Sequence, residues 1–233
     1  MAYQFQPIGT IQSPFKEKFG IPRQPGLVPE LRAQLVLSAP YSQPEAVAGL
    51  EGYSHIWIQF LFHRSVKEAW QPMVRPPRLG GNRRVGVFAS RSPFRPNPIG
   101  LSVVRLERVR VEDGGVVLDI AGADLLDGTP VLDIKPYLPY VDNIPAARSG
   151  FAPQAPPVLL KVRFTQRALE QIGEYPEAEN LESLIRRLLE LDPRPAYSGK
   201  TQPARIYGMR LYDFDLRWRV DEQGVEVLEL AAL

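Results

Sequence analysis

The 233-residue chain has no cysteine, which excludes disulfides, thiolate metal sites and cysteine nucleophiles and suits a reducing cytosol. Histidine is scarce: His55 and His63 flank the apolar run 56–62. As one strand rising about 3.3 Å per residue, that run separates them by about 26 Å, too far to share a metal ion or a proton. No metal site is therefore expected, and a serine–histidine–aspartate triad would have one histidine at most and no Gly-x-Ser-x-Gly elbow. Neither Gly-x-Gly-x-x-Gly nor Gly-x-x-x-x-Gly-Lys-[Ser/Thr] occurs, which removes the support for dinucleotide-binding and P-loop folds. No apolar stretch approaches the roughly 18 residues of a spanning helix, and the first six residues lack the basic and apolar regions of a signal peptide. A soluble cytoplasmic protein with no membrane partner is the expectation.

Lysine is missing from one stretch in particular. Between Arg75 and Arg110 stand nine arginines (75, 78, 83, 84, 91, 95, 105, 108 and 110), no lysine and a single acid, Glu107. The following segment, Val111 to Pro145, holds seven acids against Lys135 alone, although the net charge of the whole chain is only +2. Guanidinium is a planar fork that matches phosphate and stacks on bases, so an arginine-only cluster points to such recognition more than to a general cationic coat.

Within that cluster, Arg91-Ser-Pro-Phe-Arg-Pro-Asn-Pro-Ile-Gly100 carries three prolines. Each fixes its own φ near −65° and holds the preceding residue extended. The segment reads as a rigid arm presenting Arg91 and Arg95 to an anion or ligand, a proline-braced turn guarding a sheet edge being the plainer alternative. Two other loops look composed for contact. Pro22 to Leu27 joins Arg23 and Gln24 to backbone-permissive residues, and Arg75 to Arg84 joins four arginines to Gly80 and Gly81. Glycine lets a backbone approach a ligand closely, and arginine takes phosphate or stacks on a base.

Apolar alternation and short apolar runs predict strands near Phe5 to Gln12, Ala33 to Ser38, Ser54 to His63, Val85 to Ser90, Leu101 to Val111, Val116 to Ala121 and Val131 to Lys135. Asp113-Gly114 between two such runs signals a hairpin. In Leu101 to Val111 the apolar positions change phase, which predicts a bulge or a marked bend of the kind barrels need. Ser42-Gln-Pro-Glu45 supplies an N-cap, an early-turn proline and a capping-box glutamate, which predicts the main helix of this half. Residues 146–157 are proline-rich and aperiodic and read as a linker, dividing a first domain (1–145) from a second (158–233). The second is predicted as a small α+β unit: a strand from Val158 to Phe164, helices over Gln166 to Gly173 and Leu181 to Leu191, then strands over Arg205 to Tyr212, Phe214 to Val220 and Val225 to Leu230.

The acidic segment offers Asp124, Asp127 and Asp133 with Lys135 and Tyr137. From spacing alone these residues read as turn formers around Asp127-Gly128, with a general base or a ligand for an amine as alternatives. His63, beside Arg64 at a strand end, is the better functional histidine. The residues by themselves describe a strand-rich cytosolic protein with a rigid arginine face for RNA or another phosphate ligand.

Taken together, Pro22-Arg-Gln-Pro-Gly-Leu27, Val74-Arg-Pro-Pro-Arg-Leu-Gly-Gly-Asn82, Val87 to Gly100 and Asp127-Gly-Thr-Pro-Val-Leu-Asp-Ile-Lys-Pro-Tyr-Leu138 resemble the TsaA-like family, and closely its bacterial TrmO (YaeB) members. Asp192-Pro-Arg-Pro-Ala-Tyr197 and Tyr212-Asp-Phe-Asp-Leu-Arg-Trp-Arg219 look like that family's C-terminal module, so the resemblance covers nearly the whole chain. It implies a mainly β protein, a single-sheeted β-barrel N-terminal domain with a smaller α+β C-terminal domain, usually dimeric. It also implies a methyltransferase that uses S-adenosyl-L-methionine to methylate N6 of N6-threonylcarbamoyladenosine, 3′ of the anticodon at tRNA position 37, in threonine tRNAs.

By the same resemblance, cofactor contacts map onto Gln24, Pro25 and Gly26, His63 and Arg64, Arg91 and Leu101, and the segment Asp124, Leu125, Leu126 and Asp127. A urea-like nitrogen is a weak nucleophile, so transfer demands in-line positioning and a proton acceptor or a stabilised developing charge. The candidates are Asp127, Asp133 and Tyr137, with Lys135 stabilising charge. The modified base must leave the anticodon-loop stack, and Arg75, Arg78, Arg83, Arg84 and Arg95 are the residues expected to hold the flanking RNA. A non-catalytic RNA-binding barrel and an S-adenosylmethionine enzyme with another acceptor remain the alternatives.

Overall fold

The computed structural model describes residues 3–66, 69–112, 114–158, 160–176, 180–194 and 205–233. Six strands form a closed antiparallel barrel: β1 (Gly9–Gln12), β2 (Arg32–Leu37), β3 (His55–Leu61), β6 (Ile99–Glu112), β7 (Gly115–Ala121) and β8 (Pro130–Pro136), in the spatial order β1-β2-β7-β6-β3-β8. Alternation along each strand places Ile11, Leu35, Ile56, Ile58, Leu118, Ile120 and Val131 inside, all fully buried. Each such side chain stabilises the fold by roughly 1.5–3 kcal/mol.

The long strand β6 bends as its phase change predicts. It pairs with β3 through its first half and with β7 through its second, with a register shift between Leu106 and Arg108. One long bent strand can thereby serve both neighbours and close the barrel. The hairpin from β6 to β7 turns across Glu112↔Gly115, although Asp113 itself lies outside the described residues.

Two local expectations are corrected. Residues 44–47 and 50–52 form separate 3-10 turns instead of an α-helix, because Ser42 Oγ does not cap them: it accepts from the Val116 N–H at 2.7 Å. The run Val85 to Ser90 is a strand only over β5 (Val85–Gly86), which pairs with β4 (Met73–Val74). Val87–Ala89 then coils into a 3-10 turn that buries Val87 and leaves Phe88 outside. β1 also starts four residues later than predicted, at Gly9.

Residues 146–157 carry no helix or strand. Beyond them, β10 (Ile206–Leu211), β11 (Phe214–Asp221), β12 (Gly224–Ala232) and β9 (Val162–Phe164) form a second sheet in that order, β9 lying parallel to β12. Helices α2 (Gln166–Glu174) and α3 (Leu181–Glu190) follow β9, after the single turn α1 (Pro139–Asp142) earlier in the chain. Thr165 caps α2 by accepting from the Ala168 N–H at 3.2 Å. Leu181, Leu184, Ile185, Leu188 and Leu189 make the i, i+3, i+4, i+7, i+8 stripe that α3 buries. The sheet meets the barrel through the segment after β1. Phe15, fully buried, bridges to Leu211, and the Tyr212 N–H donates to the Pro14 carbonyl at 2.7 Å.

The barrel closes where β1 lies between β2 and β8, and Gly9 stands there opposite both Leu37 and Val131. A Cβ on Gly9 would come within 2.3 Å of the Val36 carbonyl oxygen, a ladder atom that cannot move aside. Gly9→Ala is therefore expected to lower stability by about 2 kcal/mol or more in denaturant unfolding, at the upper end of overpacking costs; an unchanged midpoint would show that the seam has slack.

Candidate active site

Two segments leave the barrel seam side by side. The chain after β1 runs through residues 13–27, and the chain after β7 runs through 122–129. Ser13 Oγ donates to the Leu125 carbonyl at 2.8 Å, the Ser13 N–H donates to Asp127 Oδ1 at 2.9 Å, and the Gly26 N–H donates to the Gly122 carbonyl at 2.8 Å. Gly26 and Gly122 both adopt positive φ, +75° and +73°, and a Cβ on Gly122 would already touch the Gly26 backbone. Only glycine gives this close crossing without strain.

Beside this crossing, residues 21–24, the end of β3, the start of β6 and residues 124–126 line a half-open inner cavity of about 480 Å³. Of the residues expected to hold a cofactor, Gln24, His63, Arg64, Arg91, Leu101, Asp124, Leu125 and Leu126 line it. Arg91 donates from Nη1 to Gln24 Oε1, so the proline-braced arm and the Pro22–Leu27 loop are tied directly together. Pro25, Gly26 and Asp127 do not line the cavity. Gly26 works through its backbone crossing, and Asp127 accepts from the Ser13 N–H and pairs with Lys16 Nζ at 2.8 Å, which places it in the seam.

Asp124 is the one carboxylate lining the inner cavity among the described residues. Its Oδ1 accepts from Ser102 Oγ at 2.7 Å. Burial pushes its pKa up to about 6, against the opposing pull of the Ser102 hydroxyl and the Arg91 charge. His63 is also shifted, downward, chiefly by burial, with the neighbouring charges of Arg64 and Lys18 acting in the same direction and the backbone of Leu61 opposing them. The sequence reading missed Ser102. In Gly100-Leu-Ser-Val103 the apolar residues look like the inward pair, yet Gly100, Ser102, Val104 and Leu106 are the buried set. A lone hydroxyl in the apolar first stretch of the strand, residues 99–104, was the available signal.

The remaining catalytic candidates lie elsewhere. A register shift between Gln59 and Phe60 in the β3–β8 pairing turns Asp133 and Lys135 to the outside of the barrel, where they face each other at 3.6 Å. Tyr137 packs against the rings of His55 and Trp57. None of the three lines the inner cavity.

A second, larger cavity of about 2200 Å³ adjoins the first and shares Arg23, Gln24, Ser90, Arg91 and Arg95 with it. Its walls come from the arginine loop, the linker at 149–157 and the end of α3 with Asp192 to Arg194. Arg75, Arg78, Arg84 and Arg95 line this groove, whereas Arg83 does not. Arg78 donates to the Gln154 carbonyl, and Arg95 is turned inward, donating to the Val87 and Ser90 carbonyls at 3.2 and 2.8 Å. Among the described residues no three potential ligands gather around a metal position, and no helix is long and apolar enough to cross a membrane.

A small closed barrel with an acid-bearing inner cavity adjoining an arginine-walled groove has the chemistry to hold a small molecule beside a polyanion. Comparison with known proteins makes the class particular. Residues 10–143 match the tRNA-methyltransferase O N-terminal domain and residues 157–233 match the TrmO C-terminal domain. The chain therefore belongs to the tRNA-methyltransferase O family. It is 49% identical, over 98% of both chains, to a protein of Escherichia coli (strain K12) named tRNA (adenine(37)-N6)-methyltransferase. It is also 49% identical, over 99% of both, to a Pseudomonas aeruginosa protein named putative S-adenosylmethionine-dependent methyltransferase RcsF. The crystal structure of TrmO from Pseudomonas aeruginosa superimposes with a TM-score of 0.79 at 42% identity, covering all of both chains.

Because the Asp124 pKa is raised on folding, ionising that carboxyl costs stability. The cost is absent below the ordinary carboxyl value of 3.8, builds up as pH rises from there to about 6, and stays constant above. Asp124→Asn, which keeps an acceptor for Ser102, is expected to raise the unfolding midpoint at pH 7.5 and to leave it nearly unchanged at pH 4. Equal midpoints for the two proteins at pH 7.5 would place the carboxylate in solvent.

Proposed function

We propose that this chain transfers a methyl group from S-adenosyl-L-methionine to N6 of N6-threonylcarbamoyladenosine at position 37 of threonine tRNAs. The observation that carries the reading is the shared wall: Arg91 and Gln24 border both the inner cavity and the arginine groove. A donor held in one can therefore face an RNA base held in the other. In this reading residues 1–145 are the methyltransferase domain, 158–233 close the groove, and the protein acts as a cytoplasmic homodimer.

The residues present suit the cofactor. The inner cavity's volume falls in the range of small-molecule sites, and its chemistry is mixed: apolar Leu101 and Leu125, the cations Lys18, Arg23, Arg64, Arg91 and Arg95, and the one acid Asp124. Arg91, fixed by Gln24, would take the cofactor's carboxylate, and Asp124 would complement its positive charge. When bound, S-adenosylmethionine supplies a methyl group activated by a sulfonium.

The chain's own residues then have two tasks. One is to hold the urea nitrogen in line, which falls to the braced arm and the groove arginines. The other is to accept the proton that N6 gives up as the N–C bond forms. Asp124 is ionised above about pH 6 and is the carboxylate inside the cavity, so it receives that role in place of Asp127, Asp133 and Tyr137.

Calorimetry is expected to show S-adenosylmethionine binding, and labelled methyl transfer is expected only to threonine tRNA that already carries threonylcarbamoyladenosine. Equal labelling of unmodified tRNA would overturn the acceptor assignment. Turnover should fall as pH drops below about 6, and Asp124→Asn should lower it by about a hundredfold or more while flattening the profile. A variant with full turnover would remove Asp124 from the proton path. Arg84→Ala should weaken tRNA binding and reduce the slope of log K against log salt by about 1, an effect that Arg83→Ala should show less.

A further inference from the structure

Two large aromatic side chains stand open in the groove. Phe88 is 72% exposed and Trp70 is 51% exposed, and both line the larger cavity. Their ring centroids are 6.4 Å apart and their planes tilt by 32°, which makes a shallow shared surface. The Arg95 guanidinium carbon lies 5.7 Å from the Phe88 ring centre.

The exposure of Phe88 is built in. Its neighbour Val87 is buried, the Val87 N–H donates to the Pro72 carbonyl at 2.9 Å, and the Val87 carbonyl accepts from Ser90 Oγ at 2.9 Å and from Arg95. Anchoring one residue of a tight turn on three sides leaves the next one pointing into the groove. A soluble protein gains nothing in stability from holding a phenyl ring in water.

The surrounding charge identifies what covers the rings. Arg75, Arg78, Arg84 and Arg91 share the groove with them. Its carboxylate, Asp192, is neutralised by Arg194, which holds both of its oxygens at 2.7 and 2.8 Å. A second copy seated here about a two-fold axis would bring the same arginines face to face. A single-stranded nucleic acid offers the complement, phosphates for the guanidiniums and base faces for the rings.

We infer that Trp70 and Phe88 form a stacking platform for an unpaired base of the substrate RNA loop. The inference rests on the proposed tRNA function and adds a base-binding site to it. The arginines hold phosphates and carry the salt dependence, whereas the platform takes a base out of the loop stack and holds it beside the inner cavity.

The test uses the full chain and a stem-loop RNA corresponding to the anticodon arm of threonine tRNA, with each loop nucleotide replaced in turn by an abasic one. Phe88→Ala and Trp70→Ala are each expected to weaken binding about tenfold, in the range of lost base–aromatic stacking, with the salt slope unchanged. Trp70→Phe should restore most of the affinity. One abasic position should weaken the wild type by a similar factor and have no effect in Phe88→Ala. Unchanged affinity of both alanine variants, or additive losses at every loop position, would overturn the platform. So would a shift from dimer to monomer in sedimentation, which would assign the rings to a second copy. Methyl transfer to modified tRNA by the wild type, measured alongside, separates failures. Transfer with unaffected variants removes the platform alone, and absence of both transfer and RNA binding removes the functional reading beneath it.

Discussion

Closure of the barrel between β1 and β8 is the constraint on which the rest of the structure depends. Few residues make it: Gly9 pairs with Val131 and Thr10 with Pro130, extended by the Ile8 N–H on the Val131 carbonyl and the Ile11 N–H on the Thr129 carbonyl. The segments that diverge from this seam build the inner cavity and carry the second sheet. Asp127 belongs to this closure. Its carboxylate fixes Ser13 and Lys16, and its own N–H donates to the Phe15 carbonyl at 3.0 Å. A charged residue in a motif of catalytic appearance thus has a structural task, holding two chain segments in register at the rim of the site.

From the seam, consequences pass outward in both directions. Phe15 carries the β1 continuation onto β10 and joins the barrel core to that of the second sheet. Further along, Gln24 meets Arg91, so the proline-braced arm is fastened at its start by this contact and at its end by the Phe62 N–H donating to the Pro98 carbonyl. Its rigidity is therefore doubly imposed, by proline within the segment and by hydrogen bonds at both ends. Arg91 belongs to the shared wall, while Arg95 lines the groove and also ties down the turn that presents Phe88.

The division of charge follows the same geometry. The groove is cationic, and the inner cavity holds one carboxylate whose ionisation is opposed by burial and assisted by Ser102 and Arg91. The charged residues lining both compartments are mainly cations, Lys18, Arg23, Arg91 and Arg95 bordering the two, so what distinguishes the inner cavity is the single carboxylate among them, the one place there that favours positive charge in a ligand.

Local features were legible in the sequence because their causes are local. The helices α2 and α3, the hairpin at residue 114 and the bulge in β6 all arise from residues a few positions apart. Gln24 and Arg91 stand in short motifs that the chain's local sequence displays. Where a distant atom competed, local signals misled: Ser42 looked like a helix cap but bonds Val116, and Ser102, passed over in the sequence, is buried because its hydroxyl has a partner at Asp124. What only the tertiary structure decided are contacts across long separations, Gln24 with Arg91 at 67 residues and Ser13 with Asp127 at 114. These depend on strand order and register, and a one-residue shift in β8 sends Asp133 and Lys135 outside while leaving Val131 within. Composition determined which chemistry was available; closure of the barrel determined which residues share a cavity, since register is fixed by packing across the whole sheet.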